Sequence, residues 1–183
     1  MHAADARERR GGESVSRVAS LQVTWVLLYL PFVAALVVLA AIDVERRLLP
    51  NRIVYPLALW GFVAILFLHR DVLVQHLVAG AGAFLFLYLA ALAKPEGMGM
   101  GDVKLAGVIG LYLGAAVVPA LLVALFSGTL AGVGMVLREG PAARTKTVPF
   151  GVFLALGALV GVLGGRELIE LYERAFLSDG SPT

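Results

Sequence analysis

The chain has 183 residues, 60% of them apolar, and a net charge of only +2. That is too apolar for a soluble domain of ordinary surface-to-volume ratio and leaves room for one integral membrane domain. The basic residues lie between apolar runs rather than in one patch, which argues against nucleic-acid binding. With no cysteine, disulfides, thiolate zinc sites and cysteine nucleophiles are excluded, and His2, His69 and His76 show no metal-ligand spacing.

Residues 1–20 are polar and basic (Arg7, Arg9, Arg10, Arg17) and read as a disordered tail. The first apolar run, 21–42, is long enough to cross a hydrocarbon core of roughly 30 Å. It is too long for a signal-peptide h-region and ends in charge instead of a cleavage site. Five further spans follow at 53–68, 72–93, 103–118, 120–137 and 148–165. Their connections are His69-Arg70-Asp71, the glycine-rich stretch 94–101, a break near Pro119, and Arg138 to Thr147.

The runs are continuous rather than alternating, so they predict helices and not barrel strands. Gly110 and Gly114, Gly128 and Gly132, and Gly157 and Gly161 recur at the four-residue spacing that lets membrane helices approach closely. Beyond Arg166 the pattern changes. Leu168, Ile169, Leu171, Tyr172, Ala175 and Phe176 fall on one helical face, and Glu167, Glu170, Glu173 and Arg174 on the other. That suits a helix lying in the interface. The expected fold is an all-α membrane protein with six transmembrane helices over 21–165 and an interfacial amphipathic helix and tail over 166–183.

Two carboxylates stand out in this background. Asp43 lies in Ile42-Asp43-Val44-Glu45-Arg46-Arg47-Leu48-Leu49-Pro50-Asn51, and Asp102 in Gly97-Met98-Gly99-Met100-Gly101-Asp102-Val103-Lys104-Leu105. An ionisable group at the edge of lipid is expensive and is a functional candidate by default. Asp43 follows the first span and Asp102 the third, so both face the same side of the membrane. Two close carboxylates can hydrolyse a peptide bond without metal, serine or cysteine. One takes a proton from the attacking water while the other hydrogen-bonds the carbonyl and then protonates the leaving amine. Gly97, Gly99 and Gly101 give the backbone clearance that an extended substrate strand beside Asp102 would need. Simpler roles also fit. A Gly-Asp at a helix start is what an ordinary N-terminal cap looks like. Asp43 beside Arg46 and Arg47 fits a charge reaching for the interface.

With these motifs in place, the chain resembles the type IV prepilin peptidases, membrane aspartic proteases that share a Gly-x-Gly-Asp motif with presenilin-type enzymes. Gly99-Met100-Gly101-Asp102-Val103-Lys104-Leu105 carries that motif. Asp43 with Leu49-Pro50-Asn51 is similar to the family's first aspartate and its downstream Pro-Asn. Thr147-Val148-Pro149-Phe150-Gly151 is similar to its late Pro-Phe-Gly segment. The resemblance implies that Asp43 and Asp102 are the catalytic pair and that the substrate is the basic leader of prepilin or pseudopilin precursors. It also implies an active site at the cytoplasmic face of the bacterial inner membrane. Many members also N-methylate the new terminus, an activity that goes with a domain inserted after the first span and often carrying Cys-x-x-Cys pairs. Here that connection is about ten residues and has no cysteine, so the resemblance implies the short, peptidase-only form. Neither metal nor organic cofactor is implied; water is the second substrate.

Charge alone does not orient the chain. Arg46, Arg47, Arg52, Lys94, Lys104, Arg138, Arg144 and Lys146 lie on the aspartate side, almost balanced by the remaining basic residues, four of which are in the tail. Lys104 and Lys146 could hold a carboxylate ionised or be ordinary interfacial lysines. Glu45 and Glu96 could attract a basic leader or be solvated loop charges. Two other classes are kept open. A proton-coupled transporter would use the aspartates as a relay, but the spans hold no further acidic residue. A non-catalytic scaffold of a pilus or secretion assembly would not need the two aspartates to meet.

Overall fold

Amides away from water must be satisfied within the chain, so each apolar run closes its own hydrogen bonds as a helix. The structure, a computed structural model, describes residues 26–68, 70–93, 98–140 and 149–176, with side chains of the last segment described to Gly164. The expected tail at 1–20 lies outside the described residues. The helices are α1 (Val26–Arg46), α2 (Asn51–Leu68), α3 (Leu73–Ala93), α4 (Met100–Leu113), α5 (Val117–Glu139) and α6 (Phe150–Phe176). No strand occurs among the described residues.

Four helical segments among the described residues are long and apolar enough to cross a membrane: Val26–Arg46, Asn51–Leu68, Arg70–Ala93 and Met100–Glu139. The fourth contains both α4 and α5, and the chain reverses inside it. Gly151 of α6 sits beside Asp102 and Gly161 beside Leu113, so α6 runs parallel to α4. Gly157 sits against Ala120 and Phe150 against Gly128, so α6 is antiparallel to α5. The reversal is a 3-10 turn at Gly114–Ala116, where Gly114 has a φ of 56°. Glycine adopts that left-handed backbone at little cost. His76 of α3 holds the turn with Nδ1 at 2.7 Å from the Leu111 carbonyl. The sequence placed this break near Pro119 instead. Pro119 lies in the first turn of α5, where the missing N–H would have had no partner in any case.

α4 is the centre of the bundle. It packs against α2, α3 and α6 and buries residues on every side, as a helix enclosed by neighbours should. Tyr112 is fully buried, stacks on Phe32 of α1 at 4.1 Å between centroids, and donates its hydroxyl to the Leu57 carbonyl of α2 at 2.9 Å. Tyr29 of α1 donates in turn to the Tyr112 carbonyl. These contacts fix α1, α2 and α4 in register.

The small-residue spacing has several separate causes. A Cβ on Gly110 would meet the Ala79 carbonyl oxygen at 2.6 Å, and one on Gly157 would run into that of Ala120, so both permit close backbone approach. Gly161 makes room for the Leu113 side chain, and Gly128 for the Phe150 ring. Gly114 serves the reversal, and Gly132 has nothing within 4 Å. Finally, α6 continues unbroken to Phe176, so residues 166–176 extend that helix instead of forming one of their own.

Candidate active site

Both aspartates lie inside helices instead of just beyond them. Asp43 sits in the last turn of α1, which ends where Arg47 takes a φ of 52° and returns its N–H to the Asp43 carbonyl at 2.9 Å. Asp102 sits in the first turn of α4, where Gly99 is the N-cap. Alternating helix directions bring these two ends together.

Asp43 is 4% exposed and Asp102 8%, and they are the only buried charged residues among those described. Asp102 divides its two oxygens between two tasks. Asp102 Oδ2 accepts from the Gly99 N–H at 3.3 Å and so caps its own helix. Asp102 Oδ1 is buried with no donor. Asp43 faces the opening turn of α6, where the N–H groups of Gly151 and Val152 are directed at it. A helix N-terminus favours an anion in that place. Asp43 Oδ2 is again buried with no donor. The capping role read from the sequence for Asp102 is therefore real, and it occupies one oxygen while leaving the other.

The two donorless oxygens converge. From the position a Cβ on Gly151 would take, Asp43 Oδ2 is 2.8 Å away and Asp102 Oδ1 is 3.3 Å away. Their separation cannot exceed the sum of those distances. Buried oxygens without donors are rare and call for an explanation. Here both face one small gap, the arrangement two carboxylates need to act on a single water and carbonyl.

The other sequence candidates spread out. Gly101 lies in the first turn of α4, and a Cβ there would meet Leu49 Cβ at 2.8 Å. Gly99 is the N-cap, and Gly97 lies outside the described residues, as do Lys94, Glu96, Arg144 and Lys146. Lys104 donates to Asn51 Oδ1 at 3.1 Å and lies over the Tyr55 ring, so it ties the start of α4 to the start of α2. Two clefts line the helix surfaces, one of about 520 Å³ between α3 and α5 and one of about 320 Å³ between α2, α3 and α4. Neither contains an aspartate. Among the described residues no group of three His, Asp or Glu side chains could hold a metal. The residue the sequence left without a role is Gly151. In the sequence it is only the end of Pro149-Phe150-Gly151, and nothing local says which way it faces.

The profile of the type IV leader peptidase family matches residues 30–137. The chain belongs to that family. It is 34% identical to the prepilin leader peptidase/N-methyltransferase of Aeromonas hydrophila over 167 residues, 87% of this chain and 54% of that protein. It is 32% identical to the protein of the same description from Bacillus subtilis (strain 168) over 142 residues, covering 77% of this chain and 57% of the relative. The corresponding Legionella pneumophila protein is 30% identical over 176 residues. The chain thus spans about half the length of the curated relatives it matches. No solved structure matches it significantly. The type IV leader peptidase match includes both Asp43 and Asp102, while Gly151 lies beyond its end.

Proposed function

We propose that this chain is an intramembrane aspartic endopeptidase that removes the basic leader from type IV prepilin or pseudopilin precursors. The observation that carries the reading is the pair of buried, donorless oxygens of Asp43 and Asp102 meeting at Gly151. Membership of the leader peptidase family supports the substrate class. One carboxylate accepts a proton from water as it attacks the scissile carbonyl, and the other donates to the carbonyl oxygen and then to the leaving amine. Gly97, Gly99 and Gly101 are the proposed edge along which the unwound substrate segment lies.

In this reading all six helices cross the bacterial inner membrane, and the aspartates open to the cytoplasm. The chain cleaves without methylating. The supporting fact is that only residues 47–50 join α1 to α2, too few to fold a module for a methyl donor, and that the chain has no cysteine for a zinc-bound insert.

The test is incubation of the purified protein with a prepilin precursor and S-adenosylmethionine, followed by mass spectrometry. Wild type should release the leader and leave an unmethylated terminus. Asp43→Asn and Asp102→Asn should each stop cleavage while inserting and folding normally, since each carboxylate has its own part in the step. Cleavage by either variant would refute the dyad. A transporter or a scaffold would leave the precursor intact in every case.

A further inference from the structure

We infer that Gly151 is a positioning residue of this site, the spacer that sets the gap between the two carboxylates. The inference rests on the peptidase reading above.

The backbone does not ask for glycine here. Among the described residues the glycines with positive φ are Gly114 and Gly140, and Gly151 is an ordinary residue in the first turn of α6. An alanine within a helix is favoured over glycine by about 1 kcal/mol. What glycine supplies is space. A methyl group would enter at 2.8 Å from Asp43 Oδ2 and 3.3 Å from Asp102 Oδ1, pressing on the two oxygens that lack donors. No other described glycine has both carboxylates among the three atoms nearest its Cβ position.

The residues around Gly151 aim it. Pro149 leads into α6, and its fixed φ suits a helix start. Phe150 and Phe153 lie against Gly128 of α5, at 3.3 Å and 3.5 Å from the Cβ position there. Their seating sets the rotation of α6 about its axis. Gly151, next in the chain after Phe150, is then turned toward α1 and α4. The Pro-Phe-Gly segment resolves into a start, an anchor and a spacer.

The kind of group that must yield makes the inference testable. In Gly151→Ala the obstructing atom is the end of a side chain, unlike at Gly110 or Gly157, where it is backbone. The variant should therefore fold and misplace only the reacting groups. A displacement near 1 Å costs on the order of 100-fold in rate. With full-length protein and a prepilin substrate, Gly151→Ala should lose about that factor in kcat with KM little changed, and its melting temperature should not fall. Gly132→Ala, which has no neighbour to meet, should retain full kcat.

A second readout needs no turnover. Isotope-edited infrared titration should find the wild-type carboxylates protonating as a coupled pair in two separated steps. In Gly151→Ala the steps should draw together as the wedge moves the oxygens apart. Identical titrations, kcat within threefold of wild type, or a loss that tracks only the folded fraction would each overturn the spacer. Wild-type protein that titrates as a coupled pair yet cleaves no precursor would instead overturn the peptidase reading and leave the spacer standing.

Discussion

Gly101→Ala sets two effects of similar size against each other. Alanine in place of a helical glycine gains up to about 1 kcal/mol. The new Cβ would stand 2.8 Å from Leu49 Cβ, closer than two carbons tolerate, and overpacking of this kind costs roughly 1–3 kcal/mol. Net stability should therefore change little. Activity should change more. Leu49 belongs to the short link from α1 to α2, so pushing it away from α4 also shifts the end of α1 that bears Asp43. A loss of ten- to a hundredfold in kcat is about 1.4–3 kcal/mol of transition-state stabilisation. The assay is kcat per folded molecule on a prepilin precursor, with melting temperature recorded alongside. Because the obstructing atom is Leu49 Cβ, Leu49→Gly should restore kcat in the Gly101→Ala background. Leu49→Ala, which keeps that carbon, should not. Equal rescue by both, or full activity of Gly101→Ala alone, would refute the contact as the cause.

Tyr112→Phe should cost about 1 kcal/mol, the net worth of the hydrogen bond to Leu57, with leader removal preserved; thermal unfolding in detergent checks it. Gly110→Ala should lower the melting temperature because its Cβ meets the backbone of α3. Gly132→Ala, with open space around it, should leave the melting temperature unchanged or raise it. Cleavage should withstand EDTA and thiol reagents, since a carboxylate pair uses neither metal nor sulfur; inhibition by EDTA that zinc reverses would contradict the mechanism.

Long apolar runs made the helices easy to read, and their alternation was enough to put Asp43 and Asp102 on one side. The helix ends were harder. Charge after Ile42 marked the end of a span, yet α1 continues to Arg46, because helical hydrogen bonding does not stop where hydropathy does. Pro119 looked like a break and was not, since proline is acceptable in a first turn. Gly114 looked like one more small residue and is the reversal, which depends on a φ value that no local pattern reports. The pairing of Asp43 with the amides of Gly151 and Val152 was hidden for a different reason. It joins positions far apart in the chain, and only the packing of α6 against α4 and α5 brings them together.

The gap at Gly151 also bears on biosynthesis. Its parts come from the first, fourth and sixth helices, and a chain enters the membrane in order from its N-terminus. Asp43 is in the bilayer long before the amides that face it have been translated. Until α6 docks, neither donorless oxygen has its third wall. If the pair is the proposed peptidase dyad, it is thus inert toward neighbouring nascent membrane proteins until α6 is in place. On that reading, hydrolytic power would arrive only with the docking of α6.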